Sequence, residues 1–388
     1  MAADVTLYGL VDLGLNYQNQ NNDGDDDVNS FQMKSGQNAG SRFGLKGSED
    51  LGNGLKAGFV LENGFDADDG TFDSNGDDKM FGREAQVYVS GAFGTLSMGR
   101  VGALSSGVGS YHMGWYNPFS TGWSTAGSKS LFGLGSRGRM DNTVTYVTPS
   151  FAGFTVSAQY SFNTKGQEAE GNERNNNRYA GLGVKYVAGD FATSLVVDTV
   201  LNKNSASNSE DSLGVTWGAS YDFGVAKVFG QAQYGKNDNN FGYALNSDDE
   251  GTKAKADTQY ANDYFKLVSD EGLKGYSLAL GLTAPVAGGT VYAVANYLDV
   301  ETESKLTYEG AVAGDYAGDE YSFDVDKVEG KRWGIAAGYS YPFSKRTYVY
   351  GYAAYNEMKY EYEATVQKVS GDWKEKTTEV GLGLVHKF

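Results

Sequence analysis

The chain has 388 residues and a formal net charge of −17, from 49 acidic against 32 basic side chains, so a surface built to neutralise nucleic-acid phosphates is excluded. It has no cysteine and only two histidines, His112 and His386, which removes disulfides, thiolate metal sites and three-histidine zinc centres. Its 54 glycines, 28 tyrosines and 20 phenylalanines, with four prolines, oppose both helix and disorder and leave an all-β chain rich in turns.

No stretch approaches the roughly 18 apolar residues of a spanning helix. A transmembrane barrel needs none, because its lipid-facing and lumen-facing residues alternate. The start, Met1-Ala2-Ala3-Asp4, has neither a basic nor an apolar leader region and reads as the mature end of an exported chain.

Alternation begins at once. Val5, Leu7, Gly9, Val11, Leu13 and Leu15 share one face, and Thr6, Tyr8, Asp12, Gly14 and Asn16 the other. Phe154, Val156, Ala158 and Tyr160 oppose Thr155, Ser157 and Gln159. Leu213, Val215, Trp217, Ala219 and Tyr221 oppose Gly214, Thr216, Gly218 and Ser220, and Tyr276 to Leu282 repeats the pattern. In the last strand Val380, Leu382, Leu384, His386 and Phe388 oppose Gly381, Gly383, Val385 and Lys387. The second face carries Gly, Ser, Thr, Gln, Lys and Arg, residues that meet water. Tyr17, Tyr186, Tyr221, Tyr234, Tyr297 and Tyr339 stand at strand ends, where interfacial girdles lie.

Connection lengths also alternate. Short turns fall at Asp50–Gly54, Ala92–Gly94, Thr148–Gly153, Ala188–Asp190, Phe223–Val225, Ala284–Gly289 and Tyr341–Lys345. Long loops rich in acid and Asn fall at Asn19–Gly36, Asp66–Lys79, Val101–Gly138, Thr164–Asn177, Asn202–Ser212, Asn237–Leu273, Glu301–Glu329 and Lys359–Glu375. Seven turns interleaved with eight loops predict a single domain over residues 1–388, a transmembrane antiparallel β-barrel of about sixteen strands with both termini on the short-turn side. A soluble sandwich also alternates, but has no reason to sort its loops by length.

At Val5–Leu15, Ser41–Phe65, Phe81–Arg100, Asn142–Tyr160, Tyr341–Tyr355 and Val380–Phe388 the chain resembles the general diffusion porins of Gram-negative bacteria. The resemblance implies a homotrimer in the outer membrane, in contact with its lipid and lipopolysaccharide, passing ions and small hydrophilic solutes without a cofactor. It implies that the third loop, about residues 101–140, folds into the lumen, where Tyr111, His112, Trp115 and Trp123 would line or anchor it. The terminal Phe388 resembles the assembly signal of such barrels.

Selection in a pore follows the charge at its narrowest point. Five of the nine arginines lie between Arg42 and Arg139. Arg42 shares its face with Lys46, and Arg139 shares parity with Thr143 and Thr145, so both point inward; Arg137 follows if its strand extends that far. The family places a basic wall at the positions of Arg42, Arg83 and Arg139. Strict parity puts Arg83 on the lipid side with Ala85, Val87 and Val89, so a bulge would be needed to turn it inward. Arg100 falls on the outer face, a subunit-interface candidate within reach of acids among Asp66 to Asp78 of a neighbouring copy. Glu62 matches a family carboxylate that tethers the loop, and Asp12 lies in the lumen two residues after Leu10, where the enterobacterial type has a lysine. Val101–Met140 contains no Asp or Glu. These positions predict an anion-leaning constriction despite the acidic outer loops, whose field decays over a Debye length of about 8 Å.

Other readings weigh less. Trp115, Trp123 and Tyr111 would suit the aromatic slide of a sugar-type channel. A barrel enzyme would have to rely on His112, and the longest loops would suit an adhesin. Gly133–Gly138 fits a dinucleotide fingerprint without the strand and helix that it needs. Asp23–Asp27 misses calcium-loop spacing, so no metal site is expected.

Overall fold

Apolar side chains are exposed on one face of nearly every long strand while polar ones are buried on the other, the reverse of a soluble sandwich. A computed structural model describes residues 4–22, 27–72, 79–120, 122–123, 137–166, 176–202, 210–238, 264–268, 272–302, 306–311, 320–325, 327–364 and 369–388. Leu182, Leu195, Trp217, Leu280, Ile335 and Leu382 face outward, whereas Ser97, Thr145, Gln159, Ser194, Thr216 and Gln233 are buried within. Only hydrocarbon makes the first set favourable, and only closure into a barrel leaves no unpaired edge inside it.

The strands are β1 (Asp4–Asn22), β2 (Val28–Ser35), β3 (Arg42–Gly52), β4 (Leu55–Gly64), β5 (Glu84–Gly91) and β6 (Gly94–Gly102). Then come β7 (Arg139–Val147), β8 (Phe154–Ser161), β9 (Arg178–Ala188), β10 (Phe191–Leu201), β11 (Ser212–Asp222) and β12 (Lys227–Asp238). After β13 (Tyr264–Val268) follow β14 (Leu273–Val286), β15 (Gly289–Thr302), β16 (Leu306–Ala311) and β17 (Glu320–Val325). The chain ends with β18 (Lys327–Pro342), β19 (Thr347–Ala364) and β20 (Val369–Lys387). Strands β13, β16 and β17 form a separate three-stranded sheet, drawn from two long connections.

The other seventeen are one antiparallel sheet. They occupy sixteen barrel positions, because β2 and β3 share one: β3 pairs with Asp4–Leu10 of β1, and β2 with its Leu13–Gln20. The first and last strands close the cylinder from Leu10↔Lys387 to Asn22↔Glu375. Phe388 exchanges backbone hydrogen bonds with Gly9 at 3.0 and 3.2 Å. All seven short turns fall where the sequence places them.

The long loops differ. Two of them, Asn19–Gly36 and Lys359–Glu375, are largely strand, since β1 runs on to Asn22, β2 takes Val28–Ser35, β19 reaches Ala364 and β20 begins at Val369. In β19 pairing continues above the apolar band, where the contrast is inverted: Lys359 and Glu361 are outward and Met358 is buried within. Most of Asp23–Asp27, Asp73 to Asp78, Phe132 and most of Gly133–Gly138 lie outside the described residues.

Aromatic residues mark two levels on the outer wall. Phe151 and Phe154 stack at 6.1 Å and Tyr221 meets Phe223 at 4.6 Å beside the short turns. Tyr276 and Tyr297 at 6.1 Å, and Trp333 and Tyr355 at 5.3 Å, lie toward the long-loop end. Amphipathic rings favour this depth because the body is apolar and the edge wet.

Candidate functional site

Two segments enter the barrel, and between them they decide where water remains. The first is the third long loop, after β6. Leu104 and Met113 pack on Val196 of β10, and the backbone N–H of Met113 donates to the Leu104 carbonyl at 2.8 Å. Ser194 donates to the Met113 carbonyl at 2.6 Å, and Gln231 of β12 accepts the Tyr116 N–H at 2.9 Å. Tyr116 lies on Gly218 and Pro118 on Gly281, so closely that a Cβ added at either glycine would collide with the loop. Side chains on the wall would therefore displace it. Farther on, Phe119 and Trp123 reach an apolar cluster with Leu10, Val294, Ala336, Tyr350, Tyr352 and Val385. The loop thus runs along the inner wall from β10 to β19.

The second is the break between β2 and β3, residues Gly36–Ser41. Asp12, fully buried, accepts the backbone N–H groups of Asn38 at 2.7 Å and Ala39 at 2.8 Å on one oxygen and the Tyr350 hydroxyl at 2.7 Å on the other. The N–H of Asp12 is in turn 3.0 Å from Ser41 Oγ. Gln37 meets the Asn16 amide at 3.1 Å, and Asn16 and Tyr352 both donate to Glu379, at 2.6 and 2.7 Å. The backbone N–H of Trp123 donates to the Gln37 carbonyl, which joins the two inserted segments.

The stretch of wall from β3 to β7 is cationic. Arg83 Nε is 2.8 Å from Glu62 and Arg42 Nε is 3.7 Å from it. Tyr8 donates to the same carboxylate at 3.0 Å, and the Lys46 ammonium sits 5.0 Å over the Tyr8 ring. Arg139 Nε donates to the Arg83 carbonyl at 2.8 Å, and Arg42 to that of Gly40 at 2.9 Å. Four cationic side chains therefore stand with Glu62 and, beside them, the buried Glu84.

Several sequence expectations need correction. Arg83 is brought inward without a bulge: β5 begins only at Glu84, so strand parity does not govern Arg83, while Val87 and Val89 do face out. Arg137 is not on the cationic wall. It is buried, 3.5 Å from Asp198 of β10 and 2.8 Å from Ser212, because the chain has not yet reached β7 there. Glu62 engages the arginines and Tyr8 rather than tethering the loop. That tether is made by its neighbours, since Glu84 receives Ser110 at 2.5 Å and Gln86 receives Tyr111 at 2.7 Å. Arg100 is met within its own chain by Asp141 at 2.5 Å and the Gly82 carbonyl at 2.7 Å, and Lys79 reaches the same Asp141 at 2.8 Å. Trp123, at 3 % exposure, anchors the loop and presents no stacking surface to the bore. Trp115 packs across Gly107, and His112 is exposed within the barrel. Enclosure and then the Lys185 ammonium hold the imidazole of His112 below its ordinary pKa.

Sequence reasoning missed Gln37, Asn38, Asp141 and Asp198. Their roles depend on the register that brings distant strands together, and no local spacing announces it.

Comparison with known proteins places this architecture. A family model described as Gram-negative porin matches residues 1–361. An outer membrane porin protein of Bordetella pertussis is 31% identical, over 99% of this chain and 94% of that one. Outer membrane porin protein 32 of Delftia acidovorans is 30% identical, over 92% and 85%. Among solved structures, an anion-selective porin from Comamonas acidovorans superposes over the whole of both chains with a TM-score of 0.64 and 26% identity. A sixteen-position barrel, a loop laid along its inner wall and this family match together make the chain a member of the Gram-negative porin family, an outer-membrane channel protein.

Proposed function

We propose that this porin carries small hydrophilic solutes and ions by passive diffusion with a preference for anions, as a homotrimer set in outer-membrane lipid and lipopolysaccharide. The observation that carries the reading is the imbalance on the inner wall: Arg42, Lys46, Arg83 and Arg139 stand with Glu62 and Glu84, and the sequence from Val101 to Met140 has no acid at all. Two unit charges 4 Å apart interact by about 1 kcal/mol even in bulk water, and more where the water column is thin. Charges farther from the constriction than a Debye length of about 8 Å are screened first. The anion-selective porin from Comamonas acidovorans, similar over the whole chain, supports the same sign. A sugar-type aromatic slide is not favoured, since Trp123 is packed away from the bore.

The test is the zero-current potential of the purified protein in planar bilayers under a tenfold KCl gradient. A potential toward the chloride equilibrium value is expected; one toward the potassium value would refute the assignment.

A further inference from the structure

On the short-turn side of the third loop, the inner wall carries an apolar shelf. Of the cluster that receives Phe119 and Trp123, Tyr350 and Tyr352 are buried, but Tyr292, Tyr348 and Ala39 are only partly so. Both partly buried tyrosines stand near the short-turn ends of their strands, β15 from Gly289 and β19 from Thr347. Parity puts them inside the barrel: Tyr348 shares its face with Tyr350 and Tyr352, and Tyr292 with the buried Val294. Their hydroxyls are held, Tyr348 donating to Asn38 at 2.6 Å and Tyr292 lying 3.1 Å from Ser340 Oγ. Held at that edge, the rings turn part of their surface to the bore.

Two cations border this shelf. Leu10 of β1 is paired with Arg42 of β3 on one side and with Lys387 of β20 on the other. Adjacent strands are about 4.8 Å apart, so the two cationic residues stand at one level, about 9.6 Å apart, with the buried Leu10 between them. Lys387 shares its face with the buried Val385, and its ammonium lies 5.6 Å from the centroid of the Tyr348 ring. Among the described residues its neighbour is that ring rather than a carboxylate. The acids close by are engaged elsewhere. Asp12 is taken by Asn38, Ala39 and Tyr350, and Glu62 by Arg83 and Tyr8, with Arg42 farther off at 3.7 Å. The terminal carboxyl group of Phe388 accepts the Gly9 N–H at 3.2 Å. An ammonium over a partly wet ring at that distance is weakly held, so Lys387 is available to a passing anion.

We propose that this shelf is a binding site for aromatic monocarboxylates, anions of the benzoate type, on the short-turn side of the constriction. The carboxylate lies between Lys387 and Arg42, and the arene rests against Tyr348, Tyr292 and Ala39. A small inorganic anion would use the cations but leave the apolar surface wet, and a neutral sugar would use neither cation. A flat anion charged at one end satisfies both. Its ring meets the tyrosines in the offset or edge-on geometry that aromatic pairs prefer. Its carboxylate replaces the weak contact of the ammonium with the Tyr348 ring by an ion pair, in a thin water column where charges interact more strongly than in bulk. The inference names a substrate class for the anion-preferring pore and rests on that reading.

The test is the chloride current of the intact protein in planar bilayers, titrated with benzoate, acetate or benzamide. Benzoate should reduce the wild-type current at a concentration about tenfold lower than acetate, which has the charge without the ring, or benzamide, which has the ring without the charge. Lys387→Gln should need about tenfold more benzoate, and Lys387→Arg should restore the wild-type value, a rescue that a purely structural role would not give. Tyr292→Leu should weaken the effect of benzoate and leave that of acetate as it was. Acetate or benzamide as effective as benzoate, or an unchanged benzoate response in Lys387→Gln, would overturn the proposal. A wild type that prefers chloride and ignores benzoate would overturn the shelf alone. A wild type that prefers potassium would overturn the anion reading on which the shelf stands.

Discussion

Trp123 gives its backbone N–H to the carbonyl of Gln37, so the third long loop is fastened to an inward fold of the second barrel position as well as to the wall beneath it. Its indole is ringed by Phe119 at 5.3 Å, Tyr292 at 5.3 Å, Tyr350 at 5.1 Å and Tyr352 at 5.7 Å. Aromatic truncation in such a site costs about 3–5 kcal/mol. Trp123→Ala should therefore leave the barrel assembled, because strand pairing does not involve the indole, but free the loop's far end. Single-channel records should show added open-channel noise and a larger mean conductance. A quiet, unchanged channel would mean that the loop is held elsewhere.

Asp12 is the support of the inward fold. Its carboxylate takes two backbone N–H groups and one hydroxyl, and hydrogen bonds to a charged group are worth about 1.5–3 kcal/mol each. Asp12→Ala leaves those donors without an acceptor in a buried place. The expected result is a loss on the order of 3 kcal/mol in heat stability, together with a wider pore for uncharged sugars in liposome swelling. Stability loss without any change in sugar permeation would limit Asp12 to a structural role.

Glu62 and Arg83 should act in opposite directions on selectivity. Removing one cation from the wall with Arg83→Gln should lower the chloride-to-potassium permeability ratio by roughly fivefold, the equivalent of about 1 kcal/mol. Glu62→Gln should raise the ratio by a similar factor, provided that the arginines keep their place. Zero-current potentials of both variants check this, and equal shifts of the same sign would be inconsistent with a charge-selective wall.

His112 provides a pH dependence. Enclosure and the Lys185 ammonium favour the neutral ring, so protonation begins only below the ordinary imidazole value of about 6.5. Anion preference should increase as pH falls below that value, and His112→Ala should lose that increment. The unfolded chain takes up this proton first, so the group's contribution to stability declines as pH drops from about 6.5 toward the folded value. An acid-induced increment of the same size in His112→Ala would show that His112 is not its source.

The barrel was legible in the sequence wherever hydrocarbon meets water across one sheet. Leu213, Trp217 and Tyr221 against Gly214, Thr216 and Gly218 read correctly because the two faces lie in different solvents. Above the membrane the contrast is inverted, with Lys359 and Glu361 outward and Met358 buried within, so β19 and β20 extend well past their sequence-based ends. In the pore, the inward turn of Arg42 and Arg139 follows from parity. Arg83 defeats parity because it precedes its strand. The partnership of Arg137 with Asp198 and the meeting of Trp123 with Gln37 connect residues far apart along the chain, and only closure of the cylinder brings them together.

The absence of native cysteine allows the most direct check on how the bore is divided. Cysteine placed at Lys46 on the cationic wall, or at Ser194 beneath the third loop, can be challenged with a negatively charged methanethiosulfonate reagent during bilayer recording. Rapid modification and a stepwise fall in current are expected for Lys46→Cys, and no response for Ser194→Cys. The reverse pattern, or equal reaction at both, would show that water does not pass where these contacts leave it room.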